Sequence, residues 1–151
     1  MNNDSLTIDT VANWMLSQDS MTPKKLQKLA YYFEAWGWAL LHRSVISDTH
    51  FEAWAHGPVS PELWREYHAY GWNKIDKEET APGIDNQDLN DLLEAVWVTY
   101  GDKSANELEA LTHTETPWIR ARGGLKDGDR CSTPISDGDM ERYYASIYNG
   151  D

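Results

Sequence analysis

The sequence has few basic residues, a single cysteine and no long uninterrupted apolar run. The single cysteine, Cys131, excludes an intrachain disulfide and fits a reducing compartment. Thirteen lysines and arginines stand against 25 acidic residues, which gives a formal net charge of -12. Binding to phosphate backbones or to anionic membranes requires a basic surface. We therefore expect neither a nucleic acid nor a membrane as a direct partner.

The apolar stretches are too short and too polar to cross a bilayer. The longest of them, residues 29–41, is interrupted by Glu34, whereas a membrane span needs about 20 mostly apolar residues. The first five residues, Met1 to Ser5, lack the basic and apolar regions of a signal peptide. These features predict a cytoplasmic protein.

Large aromatic residues are abundant, with eight tryptophans and eight tyrosines in 151 residues. A chain of this length with 40% hydrophobic residues can fold as one globular domain. Tryptophan and tyrosine build cores, but they are also the preferred anchors of protein interfaces. Eight tryptophans exceed what a core of this size needs, so we expect some of them to contact a partner.

Signals for helix starts recur along the chain. Ser, Thr, Asp and Asn favour the N-cap position, and proline favours the first helical turn. Ser104 and Glu107 have the spacing of a capping box. The predicted starts are Asp9, Thr22–Pro23, Ser60–Pro61, Asp85 or Asn86, Ser104, Thr116–Pro117, and Ser136 or Asp137.

The helix that follows Thr22–Pro23 has apolar residues on one side and lysines on the other. Leu26 and Leu29 have the spacing of a core-facing stripe. Lys24, Lys25 and Lys28 fall towards the opposite side, which the pattern assigns to solvent.

A strand-like alternation of apolar and polar residues occurs at residues 51–56 and ends in a Gly57–Pro58 turn. The sequence therefore predicts a mostly α fold. We expect a single compact multi-helix domain over residues 1–151, with a C-terminal helix at 136–148. A small β-hairpin or short sheet is expected at most, around residues 45–59.

Motifs for catalysis or metal binding are missing. His113 and Glu115 have His-x-Glu spacing, but the pair of cysteines that completes a zinc-deaminase site is absent. The sequence also contains no His-Glu-x-x-His motif, nucleophile elbow or phosphate-binding glycine loop. We predict no catalytic, metal-binding or cofactor-binding residue, and no cofactor. An enzyme built on His56, His113 and Glu115 is the least favoured alternative.

Acidic residues are concentrated between Asp85 and Glu115. This segment holds eight acidic residues and one basic residue, which contributes -7 of the net charge. Asp88, Asp91 and Glu94 recur every third residue and can share one side of a helix. That side is either a solvated surface or a surface for a basic partner, and the sequence leaves both interpretations open.

Three blocks of sequence carry a resemblance to a known family. They read T-P-K-K-L-Q-K-L-A-Y-Y at residues 22–32, F-E-A-W-A-H-G-P-V at 51–59, and S-A-N-E-L-E-A-L-T-H-T-E-T-P-W at 104–118. Together they resemble the Panacea domain of phage-associated GepA-like and SocA-like antitoxins, with its core motifs at 22–122. Many relatives have tyrosine where this chain has His56.

The resemblance implies an antitoxin that is encoded beside a toxin gene and neutralises its cognate protein toxin by direct binding. Alarmone-synthetase-like toxins are among the partners that it implies. It also leaves open a proteolytic adaptor, which would deliver the toxin to a protease. The oligomeric state is not predicted.

The antitoxin interpretation predicts two groups of residues, one that contacts the toxin and one that maintains the fold. The residues expected to contact the toxin are aromatics left over from the core, one histidine and three acids, namely Trp36, Trp38, Trp54, His56, Trp64, Asp88, Asp91 and Glu94. The motif residues expected to maintain the fold are Leu26, Leu29, Tyr32, Gly57, Pro58, Leu108, Leu111, Thr112, His113, Pro117 and Trp118. We expect His113 to form a hydrogen bond near a helix end.

Overall fold

A computed structural model describes residues 4–150, so residues 1–3 and Asp151 lie outside it. Over the described range the chain forms seven α-helices and one two-stranded antiparallel sheet. The elements are α1 Ile8–Gln18, α2 Pro23–Leu41, β1 Glu52–Trp54, β2 Gly57–Val59, α3 Pro61–Tyr67, α4 Gln87–Tyr100, α5 Ala105–Thr112, α6 Thr116–Arg122 and α7 Asp137–Tyr148. A short 3-10 turn, His68–Tyr70, continues α3. The prediction of a mostly helical fold with one small hairpin is confirmed.

Most helices begin where the capping signals predict. The side chains of Thr22, Ser60, Asn86 and Ser136 each accept a hydrogen bond from the backbone N–H three residues on, at 3.1–3.3 Å. Ser104 forms the predicted capping box. These bonds satisfy donors that the first helical turn leaves free.

The first helix differs from its prediction, because its N-cap is Thr7 rather than Asp9. The Thr7 hydroxyl accepts a hydrogen bond from the Thr10 N–H at 3.2 Å. The carboxylate of Asp48 accepts from the Ile8 N–H at 2.8 Å. This second contact joins residues 40 positions apart, so a local pattern could not reveal it. Asp9 instead lies in the first turn of α1.

Helix α2 is the centre of the fold, and most of the other elements pack against it. It packs against α1, α4, α5, α7 and β2. Leu26, Leu29, Ala30 and Phe33 are fully buried along it. Burying a side chain such as leucine stabilises a fold by about 1.5–3 kcal/mol. Because its neighbours lie on several sides, α2 buries side chains on more than one side of the helix.

A buried carboxylate joins α7 to α2. The hydroxyls of Tyr32 and Tyr144 both donate to Oε1 of Glu115, each at 2.8 Å. The Tyr31 and Tyr144 hydroxyls lie 3.1 Å apart. Burial raises the pKa of Glu115 to about 7, although the two tyrosine hydroxyls act to lower it. The side chain therefore changes its ionisation near neutral pH inside the core.

This arrangement predicts a specific pH dependence for the substitution Glu115→Gln. The pKa of Glu115 is about 7 in the folded chain, against 4.5 for the free side chain. The folded chain therefore binds more protons between these values, and the stability that Glu115 contributes falls as the pH rises through them. Wild type should lose free energy of unfolding relative to Glu115→Gln between pH 4.5 and 7.

Urea unfolding followed by tryptophan fluorescence at pH 4.5, 6 and 7.5 measures this difference. Glutamine keeps an oxygen that can accept from Tyr32 and Tyr144, so the variant should fold. A constant difference between the two proteins across this range would contradict the assignment.

Candidate protein-interaction site

An aromatic groove lies between the start of α2, the hairpin and α3. It encloses about 350 Å³. We call this cavity the aromatic groove. The residues that line it are Pro23, Lys24, Leu26, Gln27, Trp54, His56, Leu63, Trp64, Tyr67, His68, Gly71 and Trp72. Six of these twelve side chains are aromatic rings, which makes the groove a candidate for protein binding.

Two tryptophans of the groove are open to solvent. Trp72 is 81% exposed and Trp64 is 43% exposed. Trp64 stacks on His68 with ring centroids 4.2 Å apart, and its ring lies 5.7 Å from that of Trp54. The stacked and tilted rings support one another, while their outer faces stay available to a ligand.

The structure brings together three of the residues predicted to contact a partner. Trp54, His56 and Trp64 all line the aromatic groove. Trp36 lies elsewhere, in a second groove beside α4, and donates from Nε1 to the Tyr100 hydroxyl at 2.8 Å.

The remaining predicted contact residues lie apart from the aromatic groove. Trp38 is half-buried, and its buried Nε1 has no hydrogen-bond partner. Asp88, Asp91 and Glu94 are all exposed on α4.

Sequence reasoning missed Trp72, Tyr67 and His68. Trp72 follows Gly71, whose φ of 58° ends the helical segment. A side chain outside a helix or strand has no periodic pattern that assigns it to core or surface. The available signal was a large aromatic residue directly after a helix-ending glycine.

The hairpin that carries Trp54 and His56 has only three residue pairs, Glu52 with Val59, Ala53 with Pro58 and Trp54 with Gly57. An isolated two-stranded hairpin is marginally stable in water. Its position must therefore be fixed from outside the sheet.

Buried side chains of α2 and α6 hold the hairpin by its backbone carbonyls. Lys28 donates from Nζ to the carbonyl of Pro58 at 3.2 Å. Trp118 donates from Nε1 to the carbonyl of Trp54 at 2.9 Å. Arg122 donates from Nη1 to the carbonyl of Ala53 at 3.0 Å. We call Lys28, Trp118 and Arg122 the hairpin clamp.

A fourth side chain fixes the residue that follows the hairpin. Gln27 donates to the carbonyl of Ser60 at 3.0 Å and accepts from the Ser60 N–H at 2.8 Å. This reciprocal pair anchors the chain where α3 begins, and so sets the position of Trp64.

Lys28 corrects the sequence prediction, because it is 1% exposed rather than solvent-facing. The hairpin and α5 cover this side of α2, which the periodicity of α2 alone cannot reveal. Loss of solvation lowers the pKa of Lys28 to about 7, with nearby Lys24 acting in the same direction. Its close neighbour is Gly57, with φ of 110°, where an added Cβ would lie 2.5 Å from Lys28 Cε.

Arg122 is only 4% exposed. Besides the hairpin it binds the loop after α6, where its Nη2 donates to the carbonyls of Lys126 and Asp129 at 2.8 and 2.7 Å. Its guanidinium lies 4.8 Å from the ring centroid of Trp118. Hydrogen bonds and this cation–π contact replace part of the solvation that burial removes.

His113 stacks on Trp118 with ring centroids 3.9 Å apart and an angle of 9°. The expected hydrogen bond does not form at Nε2, which is buried without a partner. Ring stacking therefore positions this histidine at the end of α5.

A small ionic network joins the groove to α5. Lys24 and His56 both contact the carboxylate of Glu109, and the His56 distance is 3.4 Å. Burial acts to raise the pKa of Glu109, but its contacts with Lys24 and His56 outweigh burial and lower it. Glu109 therefore stays ionised, and its negative charge balances the positive charge of Lys24, which lines the groove.

The three residues considered for an enzyme site, His56, His113 and Glu115, each contact different partners. Glu115 accepts from two tyrosines, His56 contacts Glu109, and His113 stacks on Trp118. No set of three or more His, Cys, Asp or Glu side chains placed to hold a metal ion occurs in residues 4–150. Within the same range, none of the helices combines the length and apolar character needed to cross a bilayer.

Comparison with known proteins identifies the family. Residues 26–119 match the family described as antitoxin SocA-like, Panacea domain. The chain therefore belongs to the SocA-like Panacea-domain family, as its three sequence blocks predicted.

The chain is also similar to a curated relative, Antitoxin SocA of Caulobacter vibrioides (strain NA1000 / CB15N). The two are 33% identical over 106 residues, which cover 62% of this chain and 55% of the relative. The match thus spans little more than half the length of that protein. No solved structure matches the chain significantly.

The buried Lys28 predicts how stability changes above neutral pH. Its pKa is about 7 in the folded chain, against 10.5 for the free side chain. The unfolded chain therefore binds more protons between these values, and Lys28 contributes stability that increases as the pH rises. Wild type should gain free energy of unfolding relative to Lys28→Met from pH 7 to 9.5, by at most about 1.4 kcal/mol per pH unit.

Denaturant unfolding at pH 7, 8 and 9.5 measures this gain. Lys77→Met, at an exposed position, is the matched control and should show no such trend against wild type. Equal pH profiles for wild type and Lys28→Met would show that burial does not lower the pKa of Lys28.

Proposed function

We propose that this protein is an antitoxin that neutralises a cognate protein toxin by direct binding, and that the aromatic groove is the contact site. It acts as a binding protein rather than as an enzyme. The observation that carries the proposal is the exposure of Trp64 and Trp72 in one groove with Trp54 and His56. Membership of the SocA-like Panacea family supports the antitoxin role.

The energetics of tryptophan favour this site. A tryptophan buries about 150–250 Å² when a partner covers it, and burial is worth roughly 25 cal/mol per Å² of apolar surface. Part of that gain is lost to the cost of association. The hairpin clamp reduces this cost, since Trp54 and His56 are already ordered before a partner binds.

The net charge of -12 favours a toxin with a basic contact surface. Opposite charges on two proteins speed their encounter and help to orient it. Within the groove itself, Lys24 is neutralised by Glu109, so the aromatic surface presents little net charge of its own. The groove therefore supplies apolar contact, and the net negative charge of the chain as a whole supplies attraction.

The toxin should be encoded beside this gene, as the family relationship implies. Co-expression with the neighbouring open reading frame tests this directly. Growth arrest by the neighbour alone, with rescue by this protein and a stable complex, is the expected result. An alarmone-synthetase-like toxin would also raise the alarmone level before rescue. A harmless neighbour would overturn the assignment of that toxin.

Substitutions in the groove test the contact site. Trp72→Ala and Trp64→Ala should each weaken the complex by about 2 kcal/mol or more, which is typical of a tryptophan hot spot. The double variant should fail to rescue growth. Calorimetric titration of the purified proteins measures the loss.

Val98→Ala is the matched control, because Val98 is 80% exposed but lies on α4, outside the aromatic groove. It should bind the toxin as wild type does. If both tryptophan variants keep full affinity and rescue, the toxin binds elsewhere, although the antitoxin role itself would stand.

The amount of toxin separates two modes of neutralisation. A direct inhibitor leaves the toxin level unchanged, whereas a proteolytic adaptor lowers it. Immunoblotting of the toxin during rescue, with and without new protein synthesis, distinguishes the two.

A further inference from the structure

A second apolar groove lies between α2, α4 and α7. It encloses about 270 Å³, and its lining includes Trp36, Leu40, Leu92, Ala95, Val96 and Tyr148. We call it the α4 groove. Tyr148 is 68% exposed and Leu40 is 38% exposed. An open apolar surface of this kind is typical of a binding site.

The α4 groove is separate from the aromatic groove. Lys24 lines the aromatic groove and Leu40 lines the α4 groove, and both belong to α2. The nearest lining residues of the two grooves on α2 are Gln27 and Trp36, nine positions or about 14 Å apart along the axis. A ligand in one groove therefore leaves the other open.

Negative charge is placed at one end of the α4 groove. Helix α4 has three acidic residues and no basic residue. Asp88 lies one turn before Leu92, and Asp91 lies one turn before Ala95, so both adjoin the groove lining. Glu94 is about 200° around the helix from Leu92, so it lies away from the groove and does not share the side of Asp88, as the spacing had suggested.

We propose that the α4 groove docks an amphipathic helix of a partner protein, with its apolar face in the groove and its basic residues against Asp88 and Asp91. Helices bind apolar grooves through residues spaced one turn apart. Helix α4 has 14 residues, so a partner helix of about the same length, roughly 21 Å, would follow it.

Charge complementarity selects this occupant over a second copy of the chain. A protein with a net charge of -12 repels another copy. A basic helix instead gains attraction from Asp88 and Asp91. The inference does not rest on the proposed function, because it concerns a different surface.

Binding of a designed peptide tests the proposal. The probe is a fluorescein-labelled 18-residue helical peptide of leucine and lysine, and its counterpart replaces every lysine with glutamate. Fluorescence anisotropy with the full chain should show binding of the lysine peptide and none of the glutamate peptide. Absence of lysine-peptide binding overturns the proposal.

Variants then locate the binding site. The double variant Asp88→Asn, Asp91→Asn should bind the lysine peptide about tenfold more weakly, and with a smaller dependence on salt. Glu94→Gln removes one charge from the other side of α4 and should bind as wild type does. A loss in Glu94→Gln about half as large, on a logarithmic scale, as that of the double variant would match one charge removed against two. It would mean that the peptide follows net charge alone, which contradicts the proposal.

Ala95→Glu separates docking from simple attraction. Ala95 is exposed in the groove lining, so the substitution should not disturb folding, and circular dichroism checks this. The larger side chain should obstruct the groove and weaken binding about tenfold, although it adds negative charge. Tighter binding would overturn the proposal. Trp72→Ala should leave peptide binding unchanged, so this test is independent of the toxin site.

Discussion

The position of a three-pair hairpin determines the shape of the aromatic groove, and buried hydrogen-bond donors determine the position of that hairpin. Lys28, Trp118 and Arg122 each donate to a hairpin carbonyl from a helix. A larger sheet would normally supply such bonds, but this sheet has two strands, and the backbone bonds from outside it join residues 51 and 53 to Ile135 and Thr133. The fold instead buries the amine of Lys28 and the guanidinium of Arg122. Such burial costs free energy, which hydrogen bonds and close packing offset.

The hairpin clamp also gives the three sequence blocks a common location. Gln27 and Lys28 come from the first block, the hairpin itself is the second, and Trp118 ends the third. The Gly57 turn fits against Lys28 and Thr112, and an added Cβ would lie 3.0 Å from the Thr112 hydroxyl. Residues far apart in sequence thus meet around one small structure, and that structure presents Trp54 and His56 to the groove.

Local signals in the sequence were sufficient for most helix starts, α1 excepted. Thr22, Ser60 and Ser104 cap their helices through contacts within one turn, so the sequence alone predicts them. Lys28 was misassigned to solvent because its burial depends on the hairpin, which is distant in sequence. Trp54 and Trp64 were predicted as partner contacts on composition, but their convergence with Trp72 depends on tertiary packing. The sequence could not show that Trp36 and Trp38 lie outside the aromatic groove, since helical spacing does not reveal which neighbouring element covers each side of α2.

Hydrogen–deuterium exchange of this protein, alone and with its toxin, tests whether the toxin binds the aromatic groove. Exchange in the complex should be slower at residues 52–72, where the hairpin, α3 and the turn to Trp72 form the groove. Exchange in α1 should remain unchanged. Slower exchange confined to other helices, with residues 52–72 unaffected, would contradict the aromatic groove as the toxin-binding site.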